Sequence, residues 1–212
     1  MKLLTGPVSL FAKKVEIAAY EKGIPLEFES VPFSLKDRYK PKHPEVLRIN
    51  PKQQVPVLID GALELFDSTL IFEYFEDIHP NPPLWPQDPR LRAEARLLEL
   101  TSDEIIVGGL LKLVNSDKEL SREQREQIIA ETQEHFSRLD RLVHNREFFF
   151  DYFTYADIAV YCGLTLAHLL NVKVPEYCTN LTDWRQRVGA RESVQQAMQP
   201  LFDYVLEQRQ AS

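Results

Sequence analysis

The sequence predicts two differently built halves: an α/β half holding a small mixed sheet, then an all-helical half. Three observations point there. Residues 79–89, HPNPPLWPQDP, place five prolines in eleven positions. Proline lacks an amide donor and disfavours helix in the residue before it, so this stretch reads as a linker or boundary. Before it, apolar residues recur with both strand and helix periods; after it, only the helical period remains. The expected division is residues 1–79, a linker at 80–89, and residues 90–212.

In the first half, Lys2–Thr5 is a short strand. Phe11, Val15, Ala18 and Ala19 then recur at helical spacing, and Gly23 supplies the stop. Residues 26–31, LEFESV, alternate apolar and polar as a half-buried strand does. Strand, helix and strand in this order imply a right-handed crossover and parallel pairing. Residues 32–51 form a polar, proline-rich connection with at most one short helix near 45–49. Asp60-Gly61 separates two apolar runs, 56–59 and 62–66, and predicts a hairpin in which both of those residues take positive φ. A helix over 67–79 follows, with Leu70, Ile71, Tyr74, Phe75 and Ile78 as its apolar stripe. The order β-α-β, loop, β-β-α is that of the thioredoxin fold.

The second half reads as helices over 90–115, 121–142, 154–170, 180–189 and 192–208. Ser121 with Gln124 forms a capping box at the head of the second of these, and Gly189 marks the break before the last.

Composition narrows the function. With 44% hydrophobic and 27% charged residues, the chain is an ordinary globular one. A net charge of −7 provides no basic stripe to replace counterions, which argues against nucleic acid. The first six residues lack a signal-peptide pattern, and no apolar run approaches the roughly 20 residues of a membrane helix, so the expected setting is cytoplasmic, without a membrane partner. Cys162 and Cys178 form neither a disulfide framework nor a CxxC pair, and packing or surface roles are expected for both. His43, His79, His135, His144 and His168 show no metal-ligand spacing, so no metal is expected.

The most specific pattern is residues 49–75, INPKQQVPVLIDGALELFDSTLIFEYF, with Asn50-Pro51, Val55-Pro56, Asp60-Gly61 and Asp67-Ser68 in that order. It resembles the glutathione-binding segment of the glutathione transferases, and the likeness extends over essentially the whole chain. The resemblance implies a thioredoxin-like N-terminal domain plus an all-α C-terminal helical bundle. It also implies glutathione as co-substrate, held by Gln54, Val55, Asp67 and Ser68, a small hydrophobic electrophile as second substrate, and a homodimer.

Each motif has a physical reading of its own. Pro56 either starts an edge strand or, as the resemblance implies, follows a cis bond. A cis bond there would turn the Val55 main chain outward to pair with an extended peptide. Asp67 and Ser68 can cap the next helix, and the same helix start can hold a carboxylate on its amides. The resemblance gives the α-carboxylate of a γ-glutamyl group to Ser68 and its ammonium to Asp67. The family usually carries Glu or Gln at the latter position.

Ser9 stands where the family has its active-site hydroxyl or thiol, with Leu10 replacing the usual Pro; from the residues alone it is equally an N-cap. No GxSxG elbow surrounds it. In 153–160, FTYADIAV, Thr154 and Asp157 resemble the family's folding motif and form a capping box. Residues around 105–111 are expected to contribute to the electrophile pocket. The branch resembled is the zeta-like and related bacterial one, whose chemistry includes conjugation and isomerisation. A rival from another class is a non-catalytic interaction protein of the stringent starvation type.

Overall fold

A computed structural model describes residues 1–115 and 120–210. By packing, the chain divides into two compact units. One comprises Met1–Pro83 together with Glu192–Ser212, the other Leu84–Arg191.

The first unit is built on a four-stranded sheet in the order β2-β1-β3-β4, from β1 (Lys2–Thr5), β2 (Glu27–Ser30), β3 (Val57–Asp60) and β4 (Leu63–Phe66). β1 pairs in parallel with β2, as the crossover predicts, and antiparallel with β3, which pairs antiparallel with β4. Helix α1 (Leu10–Glu21) and helix α3 (Ser68–Ile78) cover one face, where Leu3, Val15, Ala19, Leu58, Ile71 and Phe75 make the core. On the other face Leu4, Val31, Val55 and Val57 pack with Val46 of the short helix α2 (Pro44–Ile49).

Two local expectations shift. The hairpin slips by one residue: Asp60 pairs with Leu63, so the two-residue loop is Gly61-Ala62, and only Gly61 has positive φ, at 60°. A glycine with positive φ first in the loop fits the turn that matches strand twist. Asp60 stays in the ladder and accepts a hydrogen bond from Tyr74 Oη at 2.6 Å. The stripe of α3 is also rotated. Ser68, Ile71, Phe72 and Phe75 are buried, whereas Leu70 is 58% exposed and Ile78 39%. Spacings of three, one and three keep the buried set on one helical face.

The prolines of 79–89 are fixed within each unit by groups from elsewhere in it. In the first unit the buried Lys22 ammonium donates to the carbonyls of His79 and Pro82 at 2.7 and 2.8 Å and pairs with Glu76 at 2.5 Å. In the second, Tyr155 N donates to Leu84 O at 2.9 Å and Tyr152 Oη to Trp85 O at 2.8 Å.

Packing differs from composition at the terminal helix α9 (Glu192–Gln210), which groups with the sheet rather than with the other helices. It lies along α1, with the Ser193 hydroxyl donating to Glu21 and Tyr204 edge-on to Phe33, centroids 5.5 Å apart. Composition does not show this, because a helix that covers a sheet has the same period as one in a bundle.

The second unit holds α4 (Pro89–Leu100), a π-helical stretch Thr101–Val107, α5 (Gly108–Asn115), α6 (Arg122–Leu142), α7 (Tyr155–Leu169) and α8 (Thr179–Gly189). The single helix expected over 90–115 is thus interrupted by wider turns. There Thr101 Oγ1 donates back to Leu97 O at 2.8 Å, and Ser102 Oγ reaches across to Ala159 O, also at 2.8 Å. Side chains that draw on main-chain carbonyls in this way compete with regular helix geometry. The Ser121–Gln124 box forms as expected.

Helix α7 is buried along nearly its whole length, and Asp157 organises its start. One carboxylate oxygen accepts from Thr154 N and Oγ1, at 2.9 and 2.8 Å. The other accepts from Phe149 N at 3.1 Å and Trp184 Nε1 at 3.0 Å. Burial pushes the Asp157 carboxyl up, and these four donors oppose the shift. Asp157→Ala strands all four donors in a dry interior, so a loss of at least about 3 kcal/mol is expected. Chemical denaturation followed by tryptophan fluorescence measures it, and an unchanged midpoint would contradict this role for Asp157.

Candidate functional site

Strand register places the sequence-predicted residues together. Leu4 of β1 faces Val57 of β3, and Val57 faces Phe66 of β4, making one row across three strands. Just beyond that row, at the same end of the sheet, come Gly6 to Ser9 after β1, Val55-Pro56 before β3, and Asp67-Ser68 after β4. Two strand spacings separate the outer pieces, about 10 Å.

Ser9 is the N-cap of α1. Its Oγ accepts from Ala12 N at 3.3 Å and donates to Val55 O at 3.4 Å. Capping and facing the Val55 main chain are therefore simultaneous. The Val55–Pro56 peptide bond is cis. The loop before it is braced by Asn50, which is 4% exposed. Its Nδ2 donates to Gln54 O at 2.6 Å and its Oδ1 accepts from Lys52 N at 2.9 Å. Gln53 turns the loop with φ of 55°, and Lys42 Nζ donates to Gln53 O at 3.0 Å. In the sequence Asn50 stands out only within the Asn50-Pro51 motif, and Lys42 does not stand out at all. A short amide next to proline is the signal that could have marked Asn50 as a loop brace. The Gln54 side chain is exposed.

Asp67 caps α3, with Oδ1 accepting from Thr69 N at 3.0 Å and Leu70 N at 3.4 Å. Its backbone has φ 81° and ψ 127°, a conformation that side-chain-bearing residues rarely adopt. Holding it costs on the order of 1–3 kcal/mol, and such residues concentrate at ligand sites. Ser68, the first helical residue, is buried beside it. Asp67 thus already engages the Thr69 and Leu70 amides at this helix start.

The remaining candidates stand apart from this cluster. Cys162 and Cys178 are buried and neither is in a disulfide, and burial pushes the Cys178 thiol up, which disfavours thiolate chemistry. Among the described residues, no group of three or more His, Cys, Asp or Glu is placed to hold a metal ion, and no helix is long and apolar enough to cross a membrane. Val107 and Leu110, within the stretch expected near an electrophile, are buried in the second unit.

One end of the sheet thus brings together a cis-proline main chain, a helix-capping hydroxyl and a second helix start on a thioredoxin-like domain. The family model described as "Glutathione S-transferase, N-terminal domain" matches residues 3–83, and "Glutathione S-transferase, C-terminal domain" matches residues 109–200. The chain belongs to the glutathione transferase superfamily.

Glutathione S-transferase U1 of Arabidopsis thaliana is 35% identical over 151 residues, 70% of this chain and 62% of that protein. A stringent starvation protein A homolog of Coxiella burnetii is 27% identical over 195 residues, covering 91% of this chain and 88% of the other. Among solved structures, a glutathione S-transferase of Methylobacterium radiotolerans in complex with glutathione sulfonate is 26% identical. It superposes with a TM-score of 0.77 over 93% of both chains.

The helix-start reading is tested by two substitutions. Ser68→Ala removes a hydroxyl but no cap, and should weaken glutathione binding by about 1–2 kcal/mol. Asp67→Asn keeps an oxygen for the Thr69 and Leu70 amides while removing the charge, so affinity should fall by about 1 kcal/mol with little change in Tm. Calorimetry giving the wild-type affinity for the double variant rules the site out.

Proposed function

We propose that the protein is an enzyme that binds glutathione along this sheet edge and holds its thiol as thiolate for attack on a small hydrophobic electrophile. The observation that carries the reading is the row Leu4–Val57–Phe66, which aligns the Ser9 turn, the Val55 main chain and Asp67-Ser68 at one end of the sheet. An extended tripeptide spans about 10 Å, which matches the two strand spacings between the outer pieces.

In this arrangement the Val55 main chain pairs with the cysteinyl unit as a strand would. Ser68 takes the γ-glutamyl carboxylate and Asp67 its ammonium, with Gln54 beside the peptide. Ser9 Oγ, now directed at Val55 O, turns to donate to the sulfur. Conjugation and isomerisation both begin from the same thiolate. The chemistry needs no metal.

A second reading has an observation of its own: a stringent starvation protein homolog aligns over 91% of the chain. An interaction protein of that kind has no need for thiolate at Ser9, so the two readings part at the sulfur.

Free thiols ionise at about 8.5, so only a small fraction is thiolate at neutral pH. A hydroxyl donor stabilises the charged form and lowers that value, with each unit worth about 1.4 kcal/mol. The sign follows: Ser9→Ala should raise the pH at which bound glutathione ionises and slow conjugation at pH 7, with affinity nearly intact. Ultraviolet thiolate absorbance of the complex against pH reads this directly. Coincident titrations for wild type and Ser9→Ala would leave Ser9 as a cap alone.

The protein is further proposed to be a homodimer, the first domain of one chain packing on the helices 90–142 of its partner, of which residues 116–119 lie outside those described. Two-fold dimers are the commonest soluble oligomers. Light scattering at micromolar concentration should give twice the chain mass, and a value of 24.7 kDa would refute the dimer.

A further inference from the structure

Beneath the Ser9 turn lies a buried ionic group that the glutathione reading does not use. Glu16, on the second turn of α1, is 4% exposed, Lys13 2% and Thr5 6%. Lys13 Nζ donates to both carboxylate oxygens of Glu16, at 3.0 and 2.9 Å, and Thr5 Oγ1 donates to the same carboxylate. Burying a carboxylate is costly unless its lone pairs are met, and here a cation and a hydroxyl meet them. Burial pushes the Glu16 carboxyl up while Lys13 and Thr5 pull it down; Tyr20 on α1 and Tyr39 after β2 also face it.

The placement of the two donors matters. Thr5 is the last residue of β1, immediately before the Gly6–Ser9 turn. Lys13 is in the first turn of α1, and its backbone N donates to Ser9 O at 3.0 Å. One carboxylate thus grips the chain on both sides of the segment that carries Ser9. Tyr39 packs against the same turn: a Cβ at Gly6 would stand 2.3 Å from its hydroxyl, so a larger residue there would displace that ring.

Resting on the glutathione reading, we infer that Glu16 is a positioning residue that clamps the Ser9 turn through Thr5 and Lys13 and so holds the Ser9 hydroxyl at the thiol. The clamp makes a prediction opposite in sign to simple electrostatics. Removing a negative charge near a thiolate favours thiolate and lowers the ionisation pH. Loosening the donor raises it.

The experiment titrates the thiolate absorbance of bound glutathione in wild type, Glu16→Gln, Ser9→Ala and the double variant. Glu16→Gln should raise the midpoint by about half a unit or more, several-fold less thiolate at pH 7. It should have no further effect once Ser9 is alanine, because it acts through that hydroxyl. A lowered or unchanged midpoint, or an equal shift on the Ser9→Ala background, overturns the inference.

Should Glu16→Gln fail to fold, Thr5→Val removes one arm of the clamp, and a smaller rise of the same sign is expected; its absence overturns the inference too. Calorimetry separates the two levels. Wild type that does not bind glutathione defeats the underlying reading and with it the role in thiol ionisation. Hydrogen exchange on the ligand-free protein then decides the clamp itself. Amides from Ser9 to Ala12 should exchange about tenfold faster in Glu16→Gln with those of α3 unchanged, and equal rates overturn it.

Discussion

The first unit depends on how β3 sits between β1 and β4. Because Val57 faces Leu4 on one side and Phe66 on the other, three chain segments far apart in sequence end at the same sheet edge. A slip of one residue in either ladder would turn every side chain of that strand to the opposite face. Leu58 would leave the core under α1 and α3, and Val57 would leave the core on the α2 side. The two-sided burial of β3 therefore fixes the geometry of the site as firmly as it fixes the sheet.

The two units reach order by different means. Apolar residues on both faces of the sheet specify the first, with charge admitted at the buried ion pair Lys13–Glu16 and the partly buried pair Lys22–Glu76. In the second unit a single carboxylate, Asp157, ties the start of α7 to the segment before it and to Trp184 of α8. A buried polar network with every donor met specifies one arrangement, which apolar packing alone does less sharply. Aromatic contacts fill in around it, with Phe149 and Trp184 at 4.9 Å between centroids.

Much of this was legible in the sequence where local chemistry decides. Caps at Ser121 and Thr154, the parallel crossover and the presence of a hairpin follow from residue types at short range, whereas the grouping of Ser9, Val55 and Asp67-Ser68 was implied by the family resemblance and depends on long-range strand pairing. What was not legible depends on distance along the chain. Nothing near Asp157 announces Trp184, twenty-seven residues on. The hairpin slip arises because Asp60 is held in the ladder beside Tyr74, a partner on another element. Glu16 reads as one more helix charge until Thr5 is folded against it. The unusual backbone of Asp67 likewise has no sequence signature, since aspartate serves as an N-cap in ordinary conformations too.

The return of α9 to the sheet sets the order in which the protein can be completed as it leaves the ribosome. Domains ordinarily fold as they emerge, the earlier before the later. Here Ser193 and Tyr204 of α9 reach Glu21 of α1 and Phe33 after β2, so that side of α1 stays uncovered until α9 has been made. The helical unit, Leu84–Arg191, is contiguous and has all of its own residues first. The unit that holds residues 1–83 thus lacks part of its own covering at the point where the helical unit already has all of its residues.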